Sequence, residues 1–221
     1  MSEPEELIIR KYKSGDKPSI REIACNTAFM GEPVEKFFTG RIFIADFLTL
    51  YHTEYEPQSL FVAEKKGKVI GYLSGARSEK IMDLVFIIKV LPRVILKLIF
   101  KGYIFKKNNF LFILFNIFSF LKGEFYTPAF IKKDYPAILH INVDKDYRSS
   151  GVGEKLIATY LNYLKNEKIK GVHLATQSKK SFKFFEKAGF EILYETKRSY
   201  LKHIFGESFK YLYYGKSLLK P

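Results

Sequence analysis

The residues best suited to chemistry lie in one stretch, Ile138 to Ile157. A strand-like run there ends in Arg148-Ser149-Ser150-Gly151-Val152-Gly153, and an amphipathic helical pattern follows. Glycines at 151 and 153 let a backbone approach a ligand closely and free consecutive N–H groups. A helix start adds unpaired amides and the positive end of the dipole, so the stretch can cradle a pyrophosphate. A dinucleotide-binding G-x-G-x-x-G is absent, and no Gly-Lys-Ser/Thr follows to make a nucleotide P-loop. A tight strand-to-helix turn without a ligand is the competing reading. Just upstream, side-chain alternation puts His140 and Asn142 on one face of the strand. His140 titrates in the range useful to a general base, though a hydrogen-bonded core histidine fits the same position.

These residues need a frame. Leu7–Arg10 reads as a strand, and two helices are expected between Pro18 and Tyr55, separated around Gly31-Glu32-Pro33 and Gly40. Ser59–Glu64 and Lys68–Leu73 form a hairpin about Lys65-Lys66-Gly67. Ala137–Val143, Val172–Thr176, Phe190–Thr196 and Phe209–Tyr214 read as strands, with helices over Gly153–Asn166 and Lys179–Ala188. That order predicts an α/β (α+β) fold: a mixed central sheet with helices on both faces, in one domain over 1–221.

With these elements in place, the chain resembles the GNAT superfamily of acetyltransferases. Arg148 to Gly153 resembles the family's R/Q-x-x-G-x-G/A signature, and Gly171 to Ser178 resembles its next strand, which splays to admit a pantetheine arm. Ser181 to Phe190 resembles the following helix with its terminal Gly-Phe, and Leu60 to Ser74 the upstream hairpin. Tyr135 to Val143 is similar to a bacterial subgroup related to the acetyltransferase-like domain of O-GlcNAcase. The resemblance covers everything except a middle insertion at about 80–125.

The resemblance implies acetyl-CoA as cosubstrate, no metal, and transfer to a primary amine by direct attack on the thioester. It places the cofactor on Ile141, Val143, Arg148, Ser149, Ser150, Gly151, Val152, Gly153, Thr176, Ser178, Ser181 and Phe184. Two departures stand out. Ser178 replaces the usual Asn and reads equally well as a helix N-cap. Phe185 replaces the Tyr whose hydroxyl protonates the leaving thiolate. A CoA thiol ionises near the cysteine reference of about 8.5, so the thiolate leaves with little help. Tyr194 or a water is the expected stand-in. Tyr55 and Glu56, just before the hairpin, are acceptor-binding candidates, with a solvated loop carboxylate as the alternative for Glu56. A silent CoA-binding module and a longer-chain acyltransferase are the rival functions.

The formal charge of +14 would suit nucleic acid, membrane or an anionic cofactor. The cations are scattered, which argues against a nucleic-acid surface. The insertion, residues 81–121, is apolar with Lys89, Arg93, Lys97 and Lys101 recurring every four residues and a break or kink expected near Pro92. Its longest uncharged run, 108–121, has 14 residues. That is short of the roughly 20 a bilayer span needs. The expectation is a packed helical hairpin over the acceptor side, with peripheral membrane contact or a homodimer interface as alternatives. The single Cys25 and an acidic start without a signal-peptide pattern suggest a cytoplasmic protein.

Overall fold

The computed structural model describes residues 6–219. One sheet of seven strands runs through it in the order β1-β2-β3-β4-β5-β7-β6. The strands are β1 (Leu7–Lys11), β2 (Leu60–Lys65), β3 (Lys68–Ala76), β4 (Ala137–Val143), β5 (Gly171–Thr176), β6 (Glu191–Arg198) and β7 (Phe209–Ser217). All neighbours are antiparallel except β4 and β5, the parallel pair. The sheet with helices on both faces is the expected architecture. β6 and β7 each run two or three residues further than the sequence pattern indicates.

On one face lies α7 (Val152–Asn166), whose Val152, Leu156, Ile157, Tyr160 and Leu164 are all buried. They recur at helical spacing and meet Phe61, Leu73, Leu139 and Leu174 from four strands. Burying each such side chain contributes roughly 1.5–3 kcal/mol. Against the other face pack α1 (Lys17–Asn26), through Ile20, Ile23 and Ala24, and then α2 (Arg41–Leu50). Alternation along β4 divides its side chains accordingly. Ala137 and Leu139 point into the α7 core, while Ile138, His140 and Asn142 face the α1–α2 side.

The insertion forms α3 (Glu79–Val85), α4 (Leu91–Phe100) and α5 (Lys107–Leu121). Pro92 does not break the first helical segment. Between α3 and α4 the chain makes a π turn over Phe86–Val90, with the Leu91 amide bonding back to Phe86. This longer turn accommodates the missing amide and the ring of the proline that follows. Val90, Val94 and Leu98 bury against α2. The basic stripe follows the same face: Arg93 pairs with Glu54 at 2.8 Å, Lys97 with Asp46 at 2.7 Å, and Lys89 sits over the Tyr55 ring. Two of its four cations are thus ion-paired at the molecular surface and a third lies against an aromatic ring, where the sequence left headgroup contact open as an alternative. Asn109, fully buried, fastens α5 by accepting from the Thr39 amide and donating to the Thr39 and Tyr103 carbonyls. The opposite faces of these helices remain exposed at Ile81, Leu84, Ile88, Phe100 and Phe120. Among the described residues no helix is long and apolar enough to cross a membrane.

Candidate active site

The parallel pairing of β4 with β5 covers only Ala137↔Val172 and Ile138↔His173. Beyond it the strands separate, while β4 stays paired to β3 as far as Val143 and β5 to β7 as far as Thr176. The edges facing one another from Leu139 and Leu174 onward therefore carry backbone donors and acceptors without a strand partner. A wedge between two strand edges is the form of a site for an extended, amide-bearing ligand.

At the open end of the wedge lies the phosphate-loop candidate. Ser149 (φ 64°) and Gly151 (φ 79°) both adopt left-handed backbone. Ser150 Oγ donates to the Tyr147 carbonyl at 2.6 Å, and Asp144 accepts from the Asp146 amide. The loop is thereby preformed, with the first-turn amides of α7 directed outward. A Cβ added at Gly151 would meet nothing, so the space in front of that residue is open to a ligand. Gly153 has a different reason to be glycine. Its missing Cβ is replaced by the Phe184 ring, 2.9 Å from where that atom would stand.

The other cofactor candidates divide by what their side chains do. Arg148 turns its guanidinium away from the loop mouth to the Gly31 and Val143 carbonyls, both at 3.2 Å, so only its backbone faces the cradle. Val152 is a core residue, and Ile141 and Val143 lean on the α7 core, leaving their main-chain groups to the wedge. Thr176 Oγ1 accepts from the Ser178 amide. Ser178 stands at the N-cap position of α8 (Lys179–Lys187) yet makes no side-chain cap, which leaves its hydroxyl available. Ser181 is half-buried on the first turn of α8, its amide bonded to the Ser178 carbonyl.

Beside the wedge, on the α1–α2 side, is a cavity of about 310 Å³. His140 opens into it, with its register partner Ser74 behind. No hydrogen bond ties the His140 ring among the described residues, and the surrounding wall, by desolvating the cation, pushes its pKa below the usual imidazole value. His52, which nothing in the sequence pattern singled out, lines the same cavity from a π turn that extends α2 over Tyr51–Tyr55. Its Nδ1 lies 3.0 Å from the Gly75 carbonyl, an acceptor, so Nδ1 carries the proton and Nε2 keeps a lone pair. Burial lowers its pKa to about 4, with the neighbouring His140 adding to the effect. Both rings are therefore neutral near pH 7.

Across the cavity, on β7, stands Tyr213, opposite Ala175 of β5. Arg198 Nη2 donates to its hydroxyl at 2.8 Å. Arg198 is itself fixed by the Glu124 carbonyl and by the Tyr211 ring, 4.2 Å from its guanidinium carbon. A guanidinium only donates, so the Tyr213 proton must point elsewhere, and among the described residues it has no acceptor.

Four sequence candidates lie elsewhere. Tyr194, the expected stand-in acid, is 40% exposed on β6 and outside the cavity lining, packed behind Tyr213 with the ring centroids 5.9 Å apart and the planes tilted by 56°. Asn142 shares the His140 face as alternation requires, but donates to the buried Tyr72 hydroxyl at 2.8 Å. Glu56 is neither in solvent nor in the cavity. It is buried and accepts from Tyr51, Ser59 and the Arg77 amide at 2.6–2.9 Å, tying the start of the hairpin to α2. Tyr55 lies next to it against Lys89 of the insertion. Its helical neighbours Tyr51 and His52 line the cavity in its place. Phe185, at the position where the family has its tyrosine, is buried against Phe190 and Tyr214. Among the described residues no group of three or more His, Cys, Asp or Glu could hold a metal ion.

The strand wedge, the glycine loop at a helix start and the adjoining cavity define an acyltransferase-type architecture. The family model described as "Acetyltransferase (GNAT) family" matches residues 19–190, and the chain belongs to that family. Among solved structures, SsHAT is similar over 97% of this chain and 100% of its own, at 21% identity and a TM-score of 0.74. An N-acetyltransferase from Staphylococcus aureus Mu50 is similar at 14% identity and a TM-score of 0.59, over 97% and 99% of the two chains. The acetyltransferase yncA from Salmonella typhimurium, solved with acetyl-CoA, is similar at 13% identity and 0.60, over 97% and 95%. At these identities the likeness is one of fold. None of the curated proteins compared with the chain matches it.

Proposed function

We propose that the protein is an N-acetyltransferase that uses acetyl-CoA to acylate a primary amine at the mouth of the β4–β5 wedge. The observation that carries this reading is the placement of a neutral histidine, His140, where the unpaired edge of β4 meets the cavity. The open space at Gly151 and the free amides of the α7 start suit a pyrophosphate, and the two strand edges suit the pantetheine amides. Acetyl-CoA supplies a thioester carbonyl; a C–N bond forms as the C–S bond breaks.

The amine is an ammonium in neutral solution and gives up two protons on becoming an amide: one to water before it can attack, the other from nitrogen as the C–N bond forms. His140, neutral and unbonded, accepts that second proton, and the Nε2 lone pair of His52 offers a second acceptor for an N–H of the bound amine. The thiolate is protonated from the Tyr213 hydroxyl, whose hydrogen is turned away from Arg198; the adjacent guanidinium stabilises the resulting phenolate until the imidazolium proton is returned. Tyr213 thus takes the part expected of Tyr194. Its role rests on the Arg198 hydrogen bond and on its place in the cavity wall.

The test is thiol release from acetyl-CoA in the presence of an amine panel, with acetyl-CoA affinity measured by calorimetry. Gly151→Val puts a branched side chain into the open space at left-handed φ and should weaken binding at least tenfold. Unchanged affinity would remove the loop from the cofactor site. Tyr213→Phe should lower kcat with acetyl-CoA, and the loss should shrink with thioesters of more acidic thiols. An equal loss for all leaving groups would assign Tyr213 to packing.

A further inference from the structure

We infer that the acceptor is a monoamine carried on an apolar or aromatic body, selected by an apolar wall to which the insertion contributes; this rests on the acetyltransferase reading above. Besides His140, His52 and Tyr213, the cavity has an apolar wall made by Phe47 and Leu48 of α2, Met82 and Phe86 of the insertion, and Phe125, whose ring lies 5.2 Å from the Arg198 guanidinium. Phe47 and Phe86 meet edge to face at 4.9 Å, joining the two helices into one aromatic surface. An amine with its nitrogen at the histidines would lay its carbon body along this wall.

The charges near the wall are already committed. Glu79, the one carboxylate in the lining, accepts from the Thr127 hydroxyl at 2.9 Å. Its other oxygen faces His173 at 3.5 Å and Lys132 at 3.6 Å. Burial works to raise its pKa, but His173, Lys132 and Thr127 outweigh it and hold the carboxylate ionised. That second oxygen makes no hydrogen bond among the described residues, but it is sealed from solvent, so the carboxylate is not presented to a substrate. Arg198 is held by the Glu124 carbonyl and Tyr213. A second ammonium or a carboxylate on the acceptor would lose its hydration and gain no counter-ion. A chain of net charge +14 further disfavours a polycation. Two wall residues, Met82 and Phe86, come from the insertion, so the insertion contributes to this preference.

The experiment compares n-hexylamine with cadaverine, which match in length and differ by a terminal methyl against a second ammonium, alongside 2-phenylethylamine and spermidine. The wild-type protein should favour n-hexylamine over cadaverine at least tenfold in kcat/KM and should accept 2-phenylethylamine. Met82→Asp should narrow or reverse the ratio while acetyl-CoA affinity by calorimetry stays the same, which shows that the fold and cofactor site survive. Preference for cadaverine or spermidine, or a ratio untouched by Met82→Asp, overturns the inference and leaves the acetyltransferase reading standing. Binding of acetyl-CoA with turnover of no amine overturns both.

Discussion

His140 and His52 differ in what the fold has done to them. His52 is locked by the Gly75 carbonyl, whereas His140 is untethered and open to the cavity. Only His140 is free to rotate towards an arriving amine, which makes it the principal base. Its depressed pKa means the protonated, inactive form builds up below the usual imidazole range. The kcat/KM profile should therefore have an acid limb with a midpoint under about 6.5. His140→Ala should abolish that limb and lower kcat by about 10²-fold or more. A variant that keeps both the limb and the rate would make His140 a wall residue and move the role to His52.

The helix-to-strand elements show which parts of this site a sequence can disclose. The β4–loop–α7 segment is contiguous, and each of its properties is local: alternation, two glycines, and apolar residues at helical spacing. It was legible for that reason, down to the shared face of His140 and Asn142. The rest of the cavity is assembled from positions far apart in the chain. His52, Arg198 and Tyr213 converge only because β7 inserts between β5 and β6 and because α2 ends in a π turn beneath β3. Nothing near those residues in sequence marks them. Glu56 shows the converse: an acidic residue in a Tyr-Glu-Pro loop looks solvated or functional, and only the fold reveals donors from three residues closing round it. The spacing of the basic stripe is likewise legible, but its partners, Glu54 and Asp46, lie far off in the chain, on α2 and the turn that extends it. At this scale Asn109 makes a sharp test. Asn109→Ala removes a fully buried amide and its three hydrogen bonds, to the Thr39 amide and to the Thr39 and Tyr103 carbonyls, each contributing about 0.5–1.5 kcal/mol. Chemical denaturation should show a loss of at least about 2 kcal/mol, larger than a surface Asn would give. A negligible loss would mean that α5 is held by its apolar contacts alone.

For the molecule as a whole, the two pairs joining β4 to β5 are, among the described residues, the only backbone ladder between β1–β4 and β5–β7–β6. The sheet is in effect two half-sheets pinned at one end, kept together elsewhere by α7 and the side chains beneath it. Hydrogen exchange should register this seam. Those amides of Leu139–Val143 that point towards β5 should exchange quickly in the free protein and slow markedly with acetyl-CoA, while amides bonded to β3 change little. Equal protection of both sets before and after addition would mean that the seam is already closed without a ligand. A cosubstrate lying in the seam would act as a temporary eighth strand, and its binding energy would count towards holding the halves together. At a hundred times its Kd that linkage adds about 2.7 kcal/mol to global stability. The lifetime of such a protein against proteases would then rise and fall with the supply of acetyl-CoA, so that its abundance, and not its turnover alone, would follow the acyl-donor pool.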